Sequence, residues 1–173
     1  MILAVVLMSG LSISGYHRHR ARRSGEVIPR GREPLPLILL RLLFTLPLFV
    51  TLVAYLVRPD WVAWPQIQVP PVVRWLGAVI GLVCLPLVYW VVSSLGRNIS
   101  ETVLTKRDQA LVAHGPYRWI RHPLYSVGLL LLLASSLLMA SWFVAMMTAL
   151  GVAMITTVVI PREESALVEK SGE

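Results

Sequence analysis

Residues 124–160 read LYSVGLLLLLASSLLMASWFVAMMTALGVAMITTVVI, and they give the clearest indication of the class of fold. It carries no Asp, Glu, Lys or Arg, and its two apolar runs, 124–139 and 142–160, are separated only by Ala140 and Ser141. An apolar run of about 17 to 25 residues is long enough to cross a bilayer as a helix. The stretch therefore predicts two membrane-spanning helices that form a tight hairpin.

Two further apolar runs, at 35–57 and 72–95, are long enough to cross a hydrocarbon core of about 30 Å at about 1.5 Å per residue. Pro47 and Pro86 lie inside these runs and predict kinks, because neighbouring helices in a membrane can satisfy the freed backbone groups. Residues 58–71 between the runs hold four prolines and two tryptophans, which is typical of a connection at the membrane surface.

The first apolar run, 2–13, is short for a span. A signal-peptide core or an interfacial helix would have this length, but no basic segment precedes the run and no clear small-residue cleavage site follows it. Positive charge follows the run instead, which favours a helix inserted with its N-terminus outside.

Composition and charge favour a membrane protein over a soluble one. Hydrophobic residues make up 56% of the chain and charged residues 14%, whereas a globular domain carries about a quarter charged residues. Thirteen of the sixteen Lys and Arg residues lie at 16–33, at 96–122 and after residue 160. Basic loops mark the cytoplasmic side of a membrane and attract anionic lipid headgroups. The net charge of +7 therefore needs no nucleic acid as partner, and no nucleic-acid-binding module is found.

These features predict an all-α integral membrane protein of about five transmembrane helices, with the N-terminus outside and the C-terminus in the cytoplasm. We expect one integrated domain, in which residues 1–95 hold three helices with a basic loop and residues 96–173 hold a polar loop, the hairpin and the tail. The one cysteine, Cys84, excludes a disulfide within the chain. No metal site is predicted.

The first polar cluster, residues 111–125, reads LVAHGPYRWIRHPLY and leads directly into the hairpin. Pro123 fits the first turn of a helix. Arg121 and His122 therefore lie beside a helix N-terminus, where exposed backbone N–H groups favour an anionic ligand group. An alternative interpretation is an interfacial cap whose aromatic residues belong to a membrane belt.

The second cluster, Arg162-Glu163-Glu164, follows the last apolar run. Adjacent carboxylates repel each other and contribute little to membrane orientation, so they suggest a cationic ligand or an ion pair with Arg118 or Arg121. Because a tight hairpin brings the far ends of its helices together, we expect the two clusters to form one site. A solvated helix end with i,i+4 pairs is the alternative.

The residues of both clusters resemble the isoprenylcysteine carboxyl methyltransferase family. The pattern runs Leu111-Val112-x-x-Gly115-Pro116-Tyr117-Arg118-x-x-Arg121-His122-Pro123-x-Tyr125-x-x-Gly128 and continues with Glu163-Glu164-x-x-Leu167. Upstream, Leu95-Gly96-Arg97-Asn98-Ile99-Ser100 is similar to the segment that precedes this motif in bacterial members. The resemblance covers roughly residues 95–173, and the combined motif is specific.

This resemblance implies an S-adenosylmethionine-dependent methyltransferase in an inner membrane of bacterial type, with its active site facing the cytoplasm. No G-x-G-x-x-G follows a strand, which independently excludes the usual soluble methyltransferase fold. The family's cofactor pocket is built from the loop before the penultimate helix and the segment after the last helix. The resemblance therefore implies that the following residues contact the cofactor: Gly115, Pro116, Tyr117, His122, Tyr125, Glu163 and Glu164.

The chemistry of the acceptor decides which further residues matter. A carboxylate is ionised near neutral pH and needs a positioning cation rather than a base. Arg121 is the first candidate, with Arg162 as its partner. Arg41 and Arg97 are candidates for substrate contact, although Arg41 is also explained as a snorkelling side chain. We expect an amphiphilic acceptor, whereas an amine acceptor would need a base, for which the candidates are His122, Glu163 and Glu164.

One departure from the family pattern keeps further functions open. Family members continue past the Glu-Glu helix through a Phe-Gly-x-x-Tyr segment, where this chain reads Lys170-Ser171-Gly172-Glu173. A chain that ends there would have an incomplete cofactor pocket, which fits a non-catalytic membrane protein of methyltransferase shape. The sequence also fits a phospholipid or small-amine N-methyltransferase, or a reductase with a similar C-terminal hairpin that binds a nicotinamide cofactor.

Overall fold

The computed structural model describes residues 1–24, 35–95 and 114–171. These residues form helices and turns without a strand, apart from an isolated bridge between Gln66 and Ser141. A π-helical turn, Ile155–Val159, connects the last two helices without a break. The predicted all-α fold is confirmed for this part of the chain. The helices are α1 (Ile2–Ser24), α2 (Leu35–Val57), α3 (Pro71–Leu95), α4 (Pro123–Met139), α5 (Trp142–Met154) and α6 (Ile160–Ser171), with 3₁₀ turns at Pro59–Val62 and Gly115–Arg118.

The helix bounds agree with the predicted runs at most ends. α2 has the predicted bounds, whereas α3 and α4 each begin one residue earlier, at a proline, because the first helical turn needs no N–H donor. The assignment of residues 16–24 to a basic loop is wrong, since α1 continues past the apolar run through Ser24. Ala21 is buried against Val92 of α3, so packing extends the helix beyond its apolar part.

Three helical stretches among the described residues, Ile38–Val57, Pro71–Leu95 and Trp142–Ser165, are long and apolar enough to cross a membrane. Pro123–Met139 is also apolar but shorter. By composition and length, these helices agree with an integral membrane protein. The arrangement of five spans with an external N-terminus stays a prediction.

The largest helix contact in this part of the chain joins α3 to α4, and α1 also packs against α3. Gly77 of α3 lies in close contact with α4. A Cβ atom at this position would meet the Ala134 carbonyl oxygen, the Leu137 Cβ and the Leu138 nitrogen, all at 2.8 Å. Small residues let helix backbones come together in this way in membrane proteins.

The predicted hairpin is confirmed: α4 ends at Met139 and α5 begins at Trp142. Ala140 has a left-handed backbone with φ 49°, and the Ser141 hydroxyl accepts a hydrogen bond from the Val144 N–H at 3.4 Å. The preceding connection also bonds to the hairpin, since the Ile67 N–H donates to the Ala140 carbonyl (2.8 Å) and the Trp142 N–H donates to the Pro65 carbonyl (3.0 Å). We call this end of the molecule the hairpin end, and the opposite end of α4 the site end.

α2 packs on the bundle near the hairpin end. Its Leu48, Leu52 and Tyr55 contact a buried cluster of Leu3, Met139 and Val144. Arg41 precedes Leu48 by seven residues, so it lies on the same face of the helix, two turns closer to the site end.

Candidate functional site

A 3₁₀ turn, Gly115–Arg118, carries the first predicted cluster and packs on the end of α3. Gly115 has φ +62°, and a Cβ atom there would lie 2.5 Å from the Ser94 hydroxyl oxygen and 3.5 Å from Trp90 Nε1. Trp90 also packs edge-on against Trp119, with ring centroids 6.0 Å apart. Glycine is needed at position 115 because both the backbone conformation and the close approach to α3 exclude a side chain.

The second segment reaches this region from α6. The Tyr125 hydroxyl, in the first turn of α4, donates a hydrogen bond of 2.5 Å to Glu163 Oε1. The Glu163 side chain is only 22% exposed. A short hydrogen bond to a shielded carboxylate is among the stronger contacts of its kind, so it joins the two segments firmly.

His122 lies between the two carboxylates. Its Nδ1 atom is 3.7 Å from Glu163 Oε2 and its Nε2 atom is 3.6 Å from Glu164 Oε1. The imidazole ring stacks on Tyr125, with the ring centroids 5.8 Å apart and an interplanar angle of 25°. The arrangement provides a flat aromatic surface beside a region of negative charge.

Arg121 lies at the exposed edge, or rim, of this group of side chains. Its guanidinium lies 3.8 Å from Glu164 Oε1, and its side chain is 89% exposed. Exposed ion pairs of this length contribute little to stability. Arg121 is therefore available to a ligand at small cost.

Tyr117 contributes a hydroxyl group that is buried and has no hydrogen-bond partner among the described residues. Burial, together with the negative charge of Glu163, raises the pKa of Tyr117 to about 12. The hydroxyl is therefore protonated throughout the physiological range. A buried donor without a partner costs free energy, which a ligand acceptor would recover.

Arg41 reaches the same region from α2. Its side chain is half-buried, and its positive charge acts on the Tyr125 hydroxyl. It shares the bundle-facing side of α2 with Leu48 and Tyr55. Ionisable groups at membrane depth generally face the bundle interior and mark functional sites, so this position fits a functional role better than snorkelling alone.

The predicted site residues fall into three groups. Tyr117, Arg121, His122, Tyr125, Glu163 and Glu164 lie together at the site end. Gly115 and Pro116 build the turn that carries Tyr117, with Pro116 buried, while Arg162 is exposed on α6. Arg97 and the segment that includes it lie outside the described residues.

Sequence reasoning missed two features that support the site, namely the packing of Trp90 and Ser94 against the Gly115 turn and the π turn before α6. It also gave Tyr117 no role for its hydroxyl. The seven-residue spacing of Arg41, Leu48 and Tyr55 was a signal that would have placed Arg41 on the inner face of α2.

The donor set shows what this site is suited to bind. Among the described residues no group of three His, Cys, Asp or Glu side chains has the arrangement of a metal site. Two carboxylates and a stacked aromatic pair instead fit a ligand that has both a cationic part and a planar ring. S-adenosylmethionine has both, as a sulfonium with an amino group and an adenine ring. The buried Tyr117 hydroxyl has no hydrogen-bond partner among the described residues and is a donor open to such a ligand.

Comparison with known proteins gives two matches. The model of the isoprenylcysteine carboxyl methyltransferase (ICMT) family matches residues 75–169, which is more than half of the chain and includes both clusters. The chain is also similar to the uncharacterized protein YpbQ of Bacillus subtilis (strain 168). The two are 27% identical over 172 residues, which cover 98% of this chain and 95% of the relative.

Proposed function

Because the chain belongs to the isoprenylcysteine carboxyl methyltransferase family, as its sequence predicted, we propose that it is a membrane methyltransferase that uses S-adenosylmethionine to methylate an amphiphilic acceptor. The observation that carries this proposal is the contact between Tyr125 and Glu163, since it joins the two segments that build the cofactor pocket in this family. The proposed site faces the cytoplasm, where the cofactor is made.

We assign different residues of the site to different parts of the cofactor. Glu163 and Glu164 offer negative charge to its cationic groups, and the stacked rings of His122 and Tyr125 offer a surface for its adenine. The Tyr117 hydroxyl donates to one of its acceptor atoms. When bound, S-adenosylmethionine supplies an electrophilic methyl group on a sulfonium sulfur.

We favour a carboxylate as the acceptor group, as in isoprenylcysteine-type O-methylation. The bound cofactor would supply its methyl group to a carboxylate oxygen, and the residues of the site would hold the acceptor and the cofactor in line. The protein's task is to align the groups, because the acceptor is already ionised. We infer that Arg121 at the rim and Arg41 on the inner face of α2 hold the anionic head group. Arg162 is a less favoured partner because it is exposed on α6.

An amine acceptor is the second candidate, and it is favoured by one feature of the site. Glu163 is shielded and hydrogen-bonded to Tyr125, so it is placed to accept a proton from an ammonium group. The two reactions give different products, since a methyl ester releases methanol in base and an N-methyl group does not.

The direct test is binding of S-adenosylhomocysteine to the purified full chain by calorimetry. We expect binding by the native protein and loss of most of it in Glu163→Gln, while Arg58→Gln on the exposed connection serves as the matched control. A folded native protein that binds no S-adenosylhomocysteine would contradict the proposed enzyme and favour a non-catalytic membrane protein. Stabilisation by a nicotinamide cofactor instead would favour a reductase.

The acceptor is tested by transfer of a labelled methyl group to membrane amphiphiles with either a carboxylate or an amine head. We expect base-labile label on S-prenylated cysteine derivatives and none on phosphatidylethanolamine. Base-stable label on the amine lipid would establish an N-methyltransferase instead.

A further inference from the structure

The π turn, Ile155–Val159, lies directly before the carboxylates of the site. Within it the Ile160 N–H donates to the Ile155 carbonyl, five residues back instead of four. A π-helical turn therefore holds one residue more than an α-helical turn of the same height. Such turns are rare and are found mostly as single insertions at functional sites.

Pro161 explains why the helix widens at this point. Proline has no N–H, and in a regular α-helix its ring collides with the carbonyl group four residues earlier. That carbonyl belongs to Thr157, which lies in the π turn. The hydroxyl groups of Thr156 and Thr157 donate to the carbonyls of Val152 and Ala153 at 2.7–3.1 Å. Side chains of the turn therefore provide hydrogen bonds to backbone carbonyls of the preceding helical turn.

One extra residue changes where the following side chains point. Each residue of an α-helix advances the rotation by about 100°. Beyond the π turn, each residue of α6 thus takes the direction that the preceding residue would have in an unbroken α-helix. Glu163 takes the direction of position 162, which is toward Tyr125. Without the turn, Arg162 would face Tyr125 and would place a cation where the site has a carboxylate.

We propose that Pro161 imposes the π turn and that the turn sets the rotation of α6, which directs Glu163 and Glu164 toward α4. Pro161 is thereby a positioning residue, which acts on the ligand through the two carboxylates. The importance of these carboxylates for a ligand rests on the proposed function, whereas the rotation of α6 does not.

Cross-linking measures the rotation directly. In a Cys84→Ala background, Tyr125→Cys is combined either with Glu163→Cys or with Arg162→Cys and treated in membranes with a short bifunctional thiol reagent. We expect the pair with position 163 to react faster. Adding Pro161→Ala should reverse the preference toward position 162, and adding Pro86→Ala, the exposed proline of α3, should leave it unchanged. An unchanged preference with Pro161→Ala would overturn the proposal.

A compensating deletion guards against a variant that only misfolds. Removing Val158 together with Pro161→Ala produces a straight helix whose α6 side chains regain their native directions. We expect cross-linking to return to position 163 in this variant, and a failure to return would also overturn the proposal.

Ligand binding gives the functional measure, with the native residues kept at positions 84, 125, 162 and 163. Pro161→Ala should weaken S-adenosylhomocysteine binding roughly tenfold or more, since a cation replaces a charge-assisted partner. Restored affinity in the compensated variant would show that the direction of the Glu163 and Glu164 side chains matters, and not the proline itself. Affinity as weak as that of Pro161→Ala would contradict this. If the native protein binds no ligand while the cross-links change as expected, the proposed function fails and the rotational role of the turn stands.

Discussion

The Tyr125 hydroxyl donates a hydrogen bond of 2.5 Å to Glu163, a residue thirty-eight positions away in the chain. It lies where the first turn of α4 meets α6, beyond the π turn. This contact converts two separate polar clusters into one site, so the stability of the protein and its affinity for a ligand should both depend on it.

Tyr125→Phe should destabilise the protein by about 1–3 kcal/mol, because it removes the donor from a shielded carboxylate. Tyr16→Phe, which changes an exposed tyrosine, is the control and should have little effect. Thermal unfolding in detergent measures both. In a double-mutant cycle with Glu163→Ala, which removes the acceptor, we expect a coupling of about 0.5–3 kcal/mol. Strictly additive effects of the two substitutions would argue that the hydrogen bond contributes nothing.

Gly77→Ala should destabilise the contact between α3 and α4 by about 1–3 kcal/mol, because the new methyl group meets backbone atoms that cannot move aside alone. Gly128→Ala in α4 is the matched control, since no atom lies within 4 Å of a Cβ there. The control should be neutral or slightly stabilising, because alanine favours helix over glycine. Equal unfolding temperatures for the two variants would contradict the close approach at Gly77.

Gly115→Ala should weaken S-adenosylhomocysteine binding more than it lowers stability, because it displaces the turn that carries Tyr117. Ser94→Gly in the same chain removes the colliding hydroxyl but leaves the strained positive φ. We therefore expect partial recovery of affinity in the double variant. No recovery would mean that the backbone conformation, and not the contact with α3, limits the turn.

Tyr117 should ionise well above an ordinary tyrosine. Its pKa is raised to about 12 by burial and by Glu163, so the folded state holds this proton more tightly than the unfolded state does. The contribution of this pKa difference to the stability of the folded protein is fully present below about pH 10 and is lost as the pH rises toward 12. The difference in tyrosinate absorbance between the native protein and Tyr117→Phe measures this ionisation. If this difference signal showed Tyr117 ionising near pH 10 in the folded protein, it would contradict the burial of the Tyr117 hydroxyl.

Arg41→Gln should raise the KM for an anionic acceptor about tenfold or more while leaving S-adenosylhomocysteine binding nearly unchanged, since Arg41 is assigned to the acceptor. Arg41→Lys should recover part of the loss because it keeps the charge but not the bidentate geometry. Methyl transfer at varied acceptor concentration measures both. A parallel loss of cofactor binding would place Arg41 in the cofactor site.

The helices could be predicted from the sequence because apolar length and proline placement are local properties. The bounds 35–57 agree fully, and the hairpin at Ala140 and Ser141 follows from a link too short for any other connection. The family was recognised from the clusters around His122 and Glu163 and is confirmed over residues 75–169. Each of these features depends on residues that are close together in the sequence, so it can be recognised without knowledge of tertiary contacts.

The extent of α1 and the support of the site depend on the packed structure. α1 continues past its apolar run because Ala21 finds a place against α3, and Gly115 is constrained because Ser94 and Trp90 lie beside it. None of these contacts joins neighbours in sequence.

A helical membrane fold and the residue types of one polar site can be predicted from the amino-acid sequence. The direction in which each side chain enters that site depends on how the helices pack. Glu163 faces Tyr125 only because the π turn adds one residue to the helix before it, and Arg41 faces the bundle because Leu48 and Tyr55 pack on its side of α2. The apolar pattern marks the faces of a helix, but packing selects the face that turns toward a neighbouring helix, and a single added residue shifts every later side chain by about 100°.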